Sequence, residues 1–247
     1  MNKIIIISLI IIGVLIIYFF NLEQKQVPSI LYKPVGINLP INRKLFSKDF
    51  MVEEISADPK VYYLHNFLKD NESNKLIEYI NLNKKESKLE INNNENPITI
   101  IKTTLRNSST AYIKKGIFSN IEKRAANFSN VNINQVEGIH GIIYRKNEYF
   151  KEHLDTFNNG SEYLTNGGNR IATIFVYLNT LENEDGGCTN FIKLKHKIKP
   201  VKNDAIYFEN IKNGIPDNRL FHEGESVLTD KLKYGLNIWI REGIYVD

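Results

Sequence analysis

The sequence predicts an α+β fold with a mainly β core, a sandwich or jelly roll buttressed by N-terminal helices and preceded by one transmembrane helix. Three observations carry this. From Val136 onward, short apolar runs recur between Gly, Asn and Asp clusters, the texture of antiparallel strands joined by polar turns. Stretches with helical spacing come earlier, before residue 130. Finally, Ile4 to Phe20 is 17 residues without a charge, spanning roughly 26 Å as a helix, close to the thickness of a hydrocarbon core.

Taken in order, the apolar run exceeds the h-region of a signal peptide and no small-residue cleavage site follows in Asn21-Leu22-Glu23-Gln24. Residues 1–20 are therefore expected to be an uncleaved single-pass anchor. Lys3 lies on one side and Lys25 and Lys33 on the other, so charge does not set the orientation. Residues 21–57, with Pro28, Pro34, Pro40 and no sustained period, are expected to be a tether, and 58–247 the folded domain. Val61 to Leu68 has a strand pattern. Asp70-Asn71-Glu72-Ser73 before Lys75 to Ile80 is a helix start, and residues 83–97, rich in Asn, Lys and Glu, are expected to be a loop. Ile117, Ile121 and Ala125 predict a helix over Ile117 to Phe128. Strands are then predicted at Gly138 to Tyr144, Ile171 to Leu178, Ile198 to Val201, Ala205 to Phe208, Ser226 to Leu228 and Leu236 to Ile240. Alternating Lys193, Lys195, Lys197 and Lys199 are expected on one face of an edge strand, where they discourage aggregation.

Composition narrows the chemistry. A 247-residue chain with 42% hydrophobic and 11% aromatic residues has the material for a buried core. The formal charge of +4 is too mild for a nucleic-acid binder lacking a recognition motif. A single cysteine, Cys188, excludes an intrachain disulfide and any four-thiolate cluster. A bound metal must therefore use histidine and carboxylate.

In His153-Leu154-Asp155 the two polar side chains share a face of extended backbone and can grip one ion. With five histidines and 28 acidic residues, one such pair is unsurprising by itself. It gains meaning with a distant second histidine, because two His and one carboxylate form the facial triad of non-haem iron oxygenases, which leaves positions open for a bidentate cosubstrate and dioxygen. His222, beyond several strands, suits that role; His140 is the rival but sits in an apolar strand pattern, and His196 lies in an exposed lysine-rich stretch. A 2-oxoglutarate enzyme also needs a cation for the far carboxylate of its cosubstrate. Lys231 and Lys233 share a strand parity, so alternation does not choose between them.

Ordered motifs then accumulate. They are Ala57-Asp58-Pro59-Lys60-Val61, Leu64-His65-Asn66-Phe67-Leu68, Arg106-Asn107-Ser108-Ser109, Ile121-Glu122-Lys123-Arg124, and Glu137-Gly138 leading to Tyr144, nine residues before His153. After His153 come Arg170-Ile171-Ala172-Thr173, Tyr177-Leu178-Asn179, Gly186-Gly187-Cys188-Thr189-Asn190-Phe191, His222-Glu223-Gly224 and Lys233 with Trp239-Ile240-Arg241. From Asp58 to Arg241 the sequence resembles the catalytic domain of the prolyl 4-hydroxylases, iron(II)- and 2-oxoglutarate-dependent dioxygenases that modify collagen-like and proline-rich polypeptides.

The resemblance implies a double-stranded β-helix fold. It implies Fe(2+) held by His153, Asp155 and His222, 2-oxoglutarate held by Lys233, Tyr144 and Thr189, and L-ascorbate keeping the iron reduced. It also implies hydroxylation of peptidyl proline with release of succinate and carbon dioxide, in a secretory lumen such as the endoplasmic reticulum. Lys233 is preferred over Lys231 because it precedes Trp239 by six residues as in the family, which leaves one extra residue around Thr229-Asp230. Departures are Cys188 where Glu is common, Ser226 where Pro is common and Asn203-Asp204 where a Lys-Gly turn is usual. Tyr112, Arg145, Arg170 and Arg241 are candidate peptide contacts, aromatic and planar cationic groups being suited to extended chains; Trp239, the sole tryptophan, is expected in the core. Asn71, Asn107, Asn127 and Asn159 begin glycosylation sequons. Competing readings are the same chemistry on peptidyl lysine and a catalytically silent peptide-binding module.

Overall fold

The computed structural model describes residues 50–247 apart from 88, 94–95 and 101–104. The expected anchor and the expected tether up to residue 49 lie outside those residues. Among the described residues no helix is long and apolar enough to cross a membrane.

In chain order the first strands are β1 (Met51–Ala57), β2 (Lys60–His65), β3 (Lys85–Glu86), β4 (Leu89–Asn93), β5 (Asn96–Ile100), β6 (Ser109–Ile113), β7 (Ile139–Tyr144) and β8 (Phe150–His153). They are followed by β9 (Arg170–Tyr177), β10 (Thr189–Phe191), β11 (His196–Ile198), β12 (Ala205–Glu209), β13 (Ile211–Lys212), β14 (Ile215–Pro216), β15 (His222–Gly224) and β16 (Lys233–Arg241). Among the described residues two α-helices, α1 (Asp70–Asn83) and α2 (Ser119–Ser129), both precede β7. Eight strands make a major sheet in the order β1-β2-β12-β9-β16-β7-β6-β3, and four make a minor sheet in the order β11-β10-β15-β8. The arrangement is the mainly β, two-sheet α+β fold that the strand texture predicts.

Strand alternation divides the core in two. Ile143, Ile174, Leu236 and Ile238 join Leu76 and Ile80 of α1 and Ile121 and Ala125 of α2 in one apolar cluster. Ile142, Tyr144, Phe175 and Tyr177, on the opposite face, join Phe191 of the minor sheet in the second. β16, flanked by β9 and β7, is buried at all nine positions. Its ends are nonetheless Lys233 and Arg241, long cations that an interior rarely holds without partners.

Helix α1 starts with Asp70 and Glu72 in its first turn, where the helix dipole favours acid, and Glu72 accepts the Lys69 N–H at 2.9 Å. Its buried stripe, Ser73, Leu76 and Ile80, follows helical spacing, and burying Ile80 contributes about 1.5–3 kcal/mol. Gly141 of β7 makes the approach possible: a Cβ there would lie 2.4 Å from Cγ1 of Ile80. Arg124 of α2 donates to Glu72 at 2.9 and 3.0 Å and to Phe67 O at 2.8 Å, tying the helices together.

Several expectations are corrected. Met51–Ala57, assigned to the tether, is β1 and pairs with β2 from Met51↔His65 to Ala57↔Lys60; its two glutamates hide the alternation, and Glu53 is buried against His65 at 3.0 Å. The expected loop at 83–97 contains β3 and β4, and β5 begins in it; β4 and β5 form an antiparallel pair. Asn and Lys there outweigh the period of two in Leu89-Glu90-Ile91 and Ile98-Thr99-Ile100. Helix α2 begins only at Ser119, leaving Ile117 exposed. The lysines at 193–199 do not share a face, because residues 192–195 turn between β10 and β11, with Lys195 at φ +56°. Lys197 and Lys199 pair with Glu225 and Glu182. β11 runs His196–Ile198 and stops before Pro200, which has no N–H for a ladder. Ser226 to Leu228 is no strand, but Val227 makes isolated bridges to Lys146 and Gly186.

Candidate metal centre and adjoining groove

His153 closes β8, His222 opens β15, and the two are direct partners across that antiparallel pair. Facing residues project to one side of the sheet, and the imidazole centroids lie 4.4 Å apart. Oδ1 of Asp155 lies 3.5 Å from Nε2 of His153 and 3.9 Å from Nε2 of His222. One ligand atom from each residue thus falls within 4.8 Å of the other two.

The surroundings orient each ligand atom. Nδ1 of His153 donates to Lys151 O at 2.8 Å and Nδ1 of His222 to Leu220 O at 3.0 Å, so each ring keeps Nε2 as its free acceptor. Oδ2 of Asp155 accepts from Oγ1 of Thr173 at 2.6 Å, and that hydroxyl accepts from Nδ2 of Asn210 at 2.9 Å. Burial pushes the Asp155 carboxyl up, but the His153 hydrogen bond, the charges of His222 and His153 and the Thr173 hydroxyl outweigh it and hold it well below the usual range. Burial, with His153 beside it, lowers His222 to about 4. Neutral imidazole and ionised carboxylate are the forms that bind metal. Two nitrogens and one oxygen on one side of a point leave its other side open, a donor set suited to iron(II).

Beyond the triad, Lys233 is opposite Tyr144 across β16 and β7 and is only 1% exposed. Its Nζ lies 5.1 Å from the Tyr144 ring and 5.5 Å from that of Phe175, and it makes no ion pair among the described residues. Burial lowers its pKa to about 8, against the opposing pull of Cys188 and Glu225. A buried cation without an anion is a receptor for one. Lys231 precedes the strand, is exposed, and pairs with Asp185 at 2.7 Å. The bend at Thr229-Asp230 before it takes up the extra residue, with Thr229 Oγ1 also bonded to Asp185. Thr189 accepts from the Tyr177 hydroxyl at 2.8 Å on β10, next to the strand that carries His222. Gly187, at φ +71°, lies against the Lys233 stem, where a Cβ would come within 3.4 Å of Cδ. Cys188 is a buried thiol whose pKa burial raises.

A groove of about 1430 Å³ adjoins the triad and is lined by Thr156 and Phe157, just after Asp155, and by Tyr112, His140, Arg170, Trp239 and Arg241. Arg170 grips buried Glu137 with Nε at 2.8 Å and Nη2 at 3.0 Å. Its guanidinium carbon lies 3.4 Å from the Trp239 ring centroid and 4.5 Å from that of Phe157. Trp239, expected in the core, is buried yet forms part of this wall, because β16 ends at the groove. Arg241 also lines the groove, but its donors brace the loop before β9, to Gly168 O and Tyr163 O at 2.7 Å each. Tyr112 is half exposed and bonds the Asp247 carboxylate. Arg145 lies outside the lining and is engaged with Ser109 and Glu148.

The profile of the 2OG-Fe(II) oxygenase superfamily matches residues 139–241, the span from β7 to β16 that holds the triad and Lys233. Prolyl 4-hydroxylase 1 of Arabidopsis thaliana is 30% identical over 213 residues, which cover 77% of this chain and 71% of that protein. The chain belongs to the 2OG-Fe(II) oxygenase superfamily. Within it, the viral collagen prolyl hydroxylase of Paramecium bursaria Chlorella virus-1, in its 2OG complex, is 26% identical with a TM-score of 0.56, covering 73% of this chain and 95% of that one. A Trichoplax adhaerens prolyl hydroxylase, solved with a hypoxia-inducible-factor peptide fragment, has a TM-score of 0.52 at 17% identity and shares the fold, covering 74% of this chain and 83% of that one. As a superfamily member with this triad, the chain is a 2-oxoglutarate- and iron(II)-dependent dioxygenase, similar to the prolyl 4-hydroxylases.

Sequence reasoning did not single out the groups that position the others. Thr173 and Asn210, behind Asp155, and Phe157, under Arg170, have no local signature, since each matters through a partner at least 12 positions away.

Proposed function

We propose that this dioxygenase hydroxylates proline in an extended polypeptide, at ring position 4 as in the relatives it resembles. The observation that carries the reading is the wall of the groove beside the triad, where the Arg170 guanidinium packs on the Trp239 ring with Phe157 close by. Flat aromatic and guanidinium surfaces take up proline rings and extended chains without requiring amide N–H groups. His153, Asp155 and His222 would hold iron, which when bound supplies the oxidising chemistry with dioxygen and 2-oxoglutarate. Lys233 would pair with the distal carboxylate of 2-oxoglutarate, with Tyr144 and Thr189 on the walls of that pocket. Ascorbate would keep the metal reduced. The protein's own contribution is placement: Thr173 fixes Asp155, Lys233 fixes the cosubstrate and the groove fixes the chain to be oxidised.

We further propose that Ile4 to Phe20 tethers the enzyme to a membrane with its catalytic domain in a secretory lumen, where collagen-like and proline-rich chains pass. The test is incubation of the protein with iron(II), 2-oxoglutarate, ascorbate and a panel of collagen-like, plain proline-rich and proline-free lysine peptides. Succinate release coupled to one added oxygen on proline supports the reading. Oxygen found on lysine alone overturns the choice of proline, and peptide binding without turnover points to a silent binding module.

A further inference from the structure

We propose that His140 sets the groove's grip on its polypeptide, its imidazole donating a hydrogen bond to a backbone carbonyl of the bound chain close to the residue that is oxidised. The inference rests on the reading of the groove as a polypeptide site and adds the group that recognises the main chain there.

On β7, His140 is the direct partner of Tyr112 on β6 and of Asn237 on β16. Alternation puts it on the face that carries Ile142 and Tyr144, towards the minor sheet, and it lines the groove. Two neighbours lock its ring: Tyr112 at a centroid distance of 5.0 Å and 66°, and Trp239 at 4.8 Å and 58°. Yet neither ring nitrogen has a hydrogen bond among the described residues, and the same is true of the Asn237 side-chain amide, although Asn237 is buried. His140 is half-buried and its ring nitrogens are not sealed from solvent, so on the groove wall they stand open to a partner from the bound chain.

The chemistry of that partner follows from charge. Burial, then the guanidinium groups of Arg170 and Arg106, push the His140 pKa down to about 3. The ring is therefore neutral at physiological pH, with one donor and one acceptor. Arginines in the groove already serve anions; a neutral imidazole suits an amide. Proline has no N–H, so a proline-rich chain presents mostly carbonyl acceptors, which a fixed ring N–H can read. The contact is also near the chemistry, because Trp239 is the strand partner of Thr173, which bonds Asp155.

His140→Phe keeps an aromatic ring between Tyr112 and Trp239 without a donor, and His140→Gln restores a donor without the ring. With the iron-loaded enzyme and the peptide panel, His140→Phe should raise KM for the accepted peptide by about fivefold to tenfold, the value of one hydrogen bond. KM for 2-oxoglutarate should stay within twofold, and His140→Gln should recover most of the loss. Peptide quenching of Trp239, the sole tryptophan, should follow the same order. An unchanged peptide KM in His140→Phe, a parallel rise in both KM values, or a Gln variant as weak as Phe would overturn the assignment. Should wild type accept lysine peptides and refuse proline ones, the substrate reading falls, while His140 is judged by the same contrast on the lysine peptide. Failure of wild type to bind any peptide removes both.

Discussion

The Thr173 hydroxyl donates to Oδ2 of Asp155 across 2.6 Å, which leaves Oδ1 as the oxygen turned towards His153 and His222. Groups behind a metal ligand fix its orientation and commonly govern affinity by about 10–100-fold. Thr173→Val, which preserves shape, should weaken iron binding by about tenfold or more, whereas Thr173→Ser should stay near wild type. Metal titration of the two variants checks this; equal affinities would remove Thr173 from the centre.

Lys233 and Lys231 are two residues apart, but their surroundings separate them. Lys233→Ala should raise KM for 2-oxoglutarate by about a hundredfold, since a buried carboxylate would lose its counter-ion. Lys231→Ala should leave that KM within a factor of about two, its ion pair with Asp185 being exposed. If the larger effect falls on Lys231, the cosubstrate pocket has been misplaced.

The pH dependence follows from the same lysine. The ammonium is lost as pH rises through about 8, so KM for 2-oxoglutarate should climb above that pH and level off below it. The sign for stability is opposite. The folded value lies below the ordinary 10.5, so the unfolded chain holds more protons between about 8 and 10.5, and Lys233 makes stability rise with pH across that window. Lys233→Met should flatten the kinetic profile.

Glu137 holds Arg170 at 2.8 Å and lies 3.1 Å from Nε of Arg241, with all three side chains largely buried. Removing the carboxylate leaves two enclosed cations together. Glu137→Gln should therefore cost about 3–5 kcal/mol in urea unfolding and should also raise KM for peptide as Arg170 leaves the Trp239 ring. A variant of wild-type stability would show the pairing to be dispensable.

Packing of α1 on the major sheet gives a test remote from the chemistry. Gly141→Ala places a methyl 2.4 Å from Ile80 Cγ1 and should destabilise by about 1–3 kcal/mol. Ile80→Ala leaves space at the same point, so the double variant should be more stable than the sum of the single losses in a double-mutant cycle.

The strand-rich half was legible because its apolar runs are bounded by Gly, Asn and Asp, and both helices because their buried residues keep helical spacing. β1 was not, since Glu53 is buried through a pairing with His65 that no local rule reveals. Nor was the break at Lys195, whose positive φ turns an apparent strand into a hairpin. At the site, His153 and Asp155 were weak as a pair, and the neighbouring motifs singled them out with His222. The supports lie too far along the chain to be read locally: Thr173 behind Asp155, and Glu137 between two arginines.

β16 carries Lys233 at one end and Trp239 and Arg241 at the other, all on one face, so a single strand acts as a ruler between the cosubstrate pocket and the groove. Six residues of strand fix that span at about 20 Å. A one-residue slip of the whole strand would turn Lys233, Asn237, Trp239 and Arg241 together towards the helices. An insertion or deletion within this strand should therefore disturb the cosubstrate pocket and the groove wall together, a constraint that the rim loop at residues 156–169 does not share.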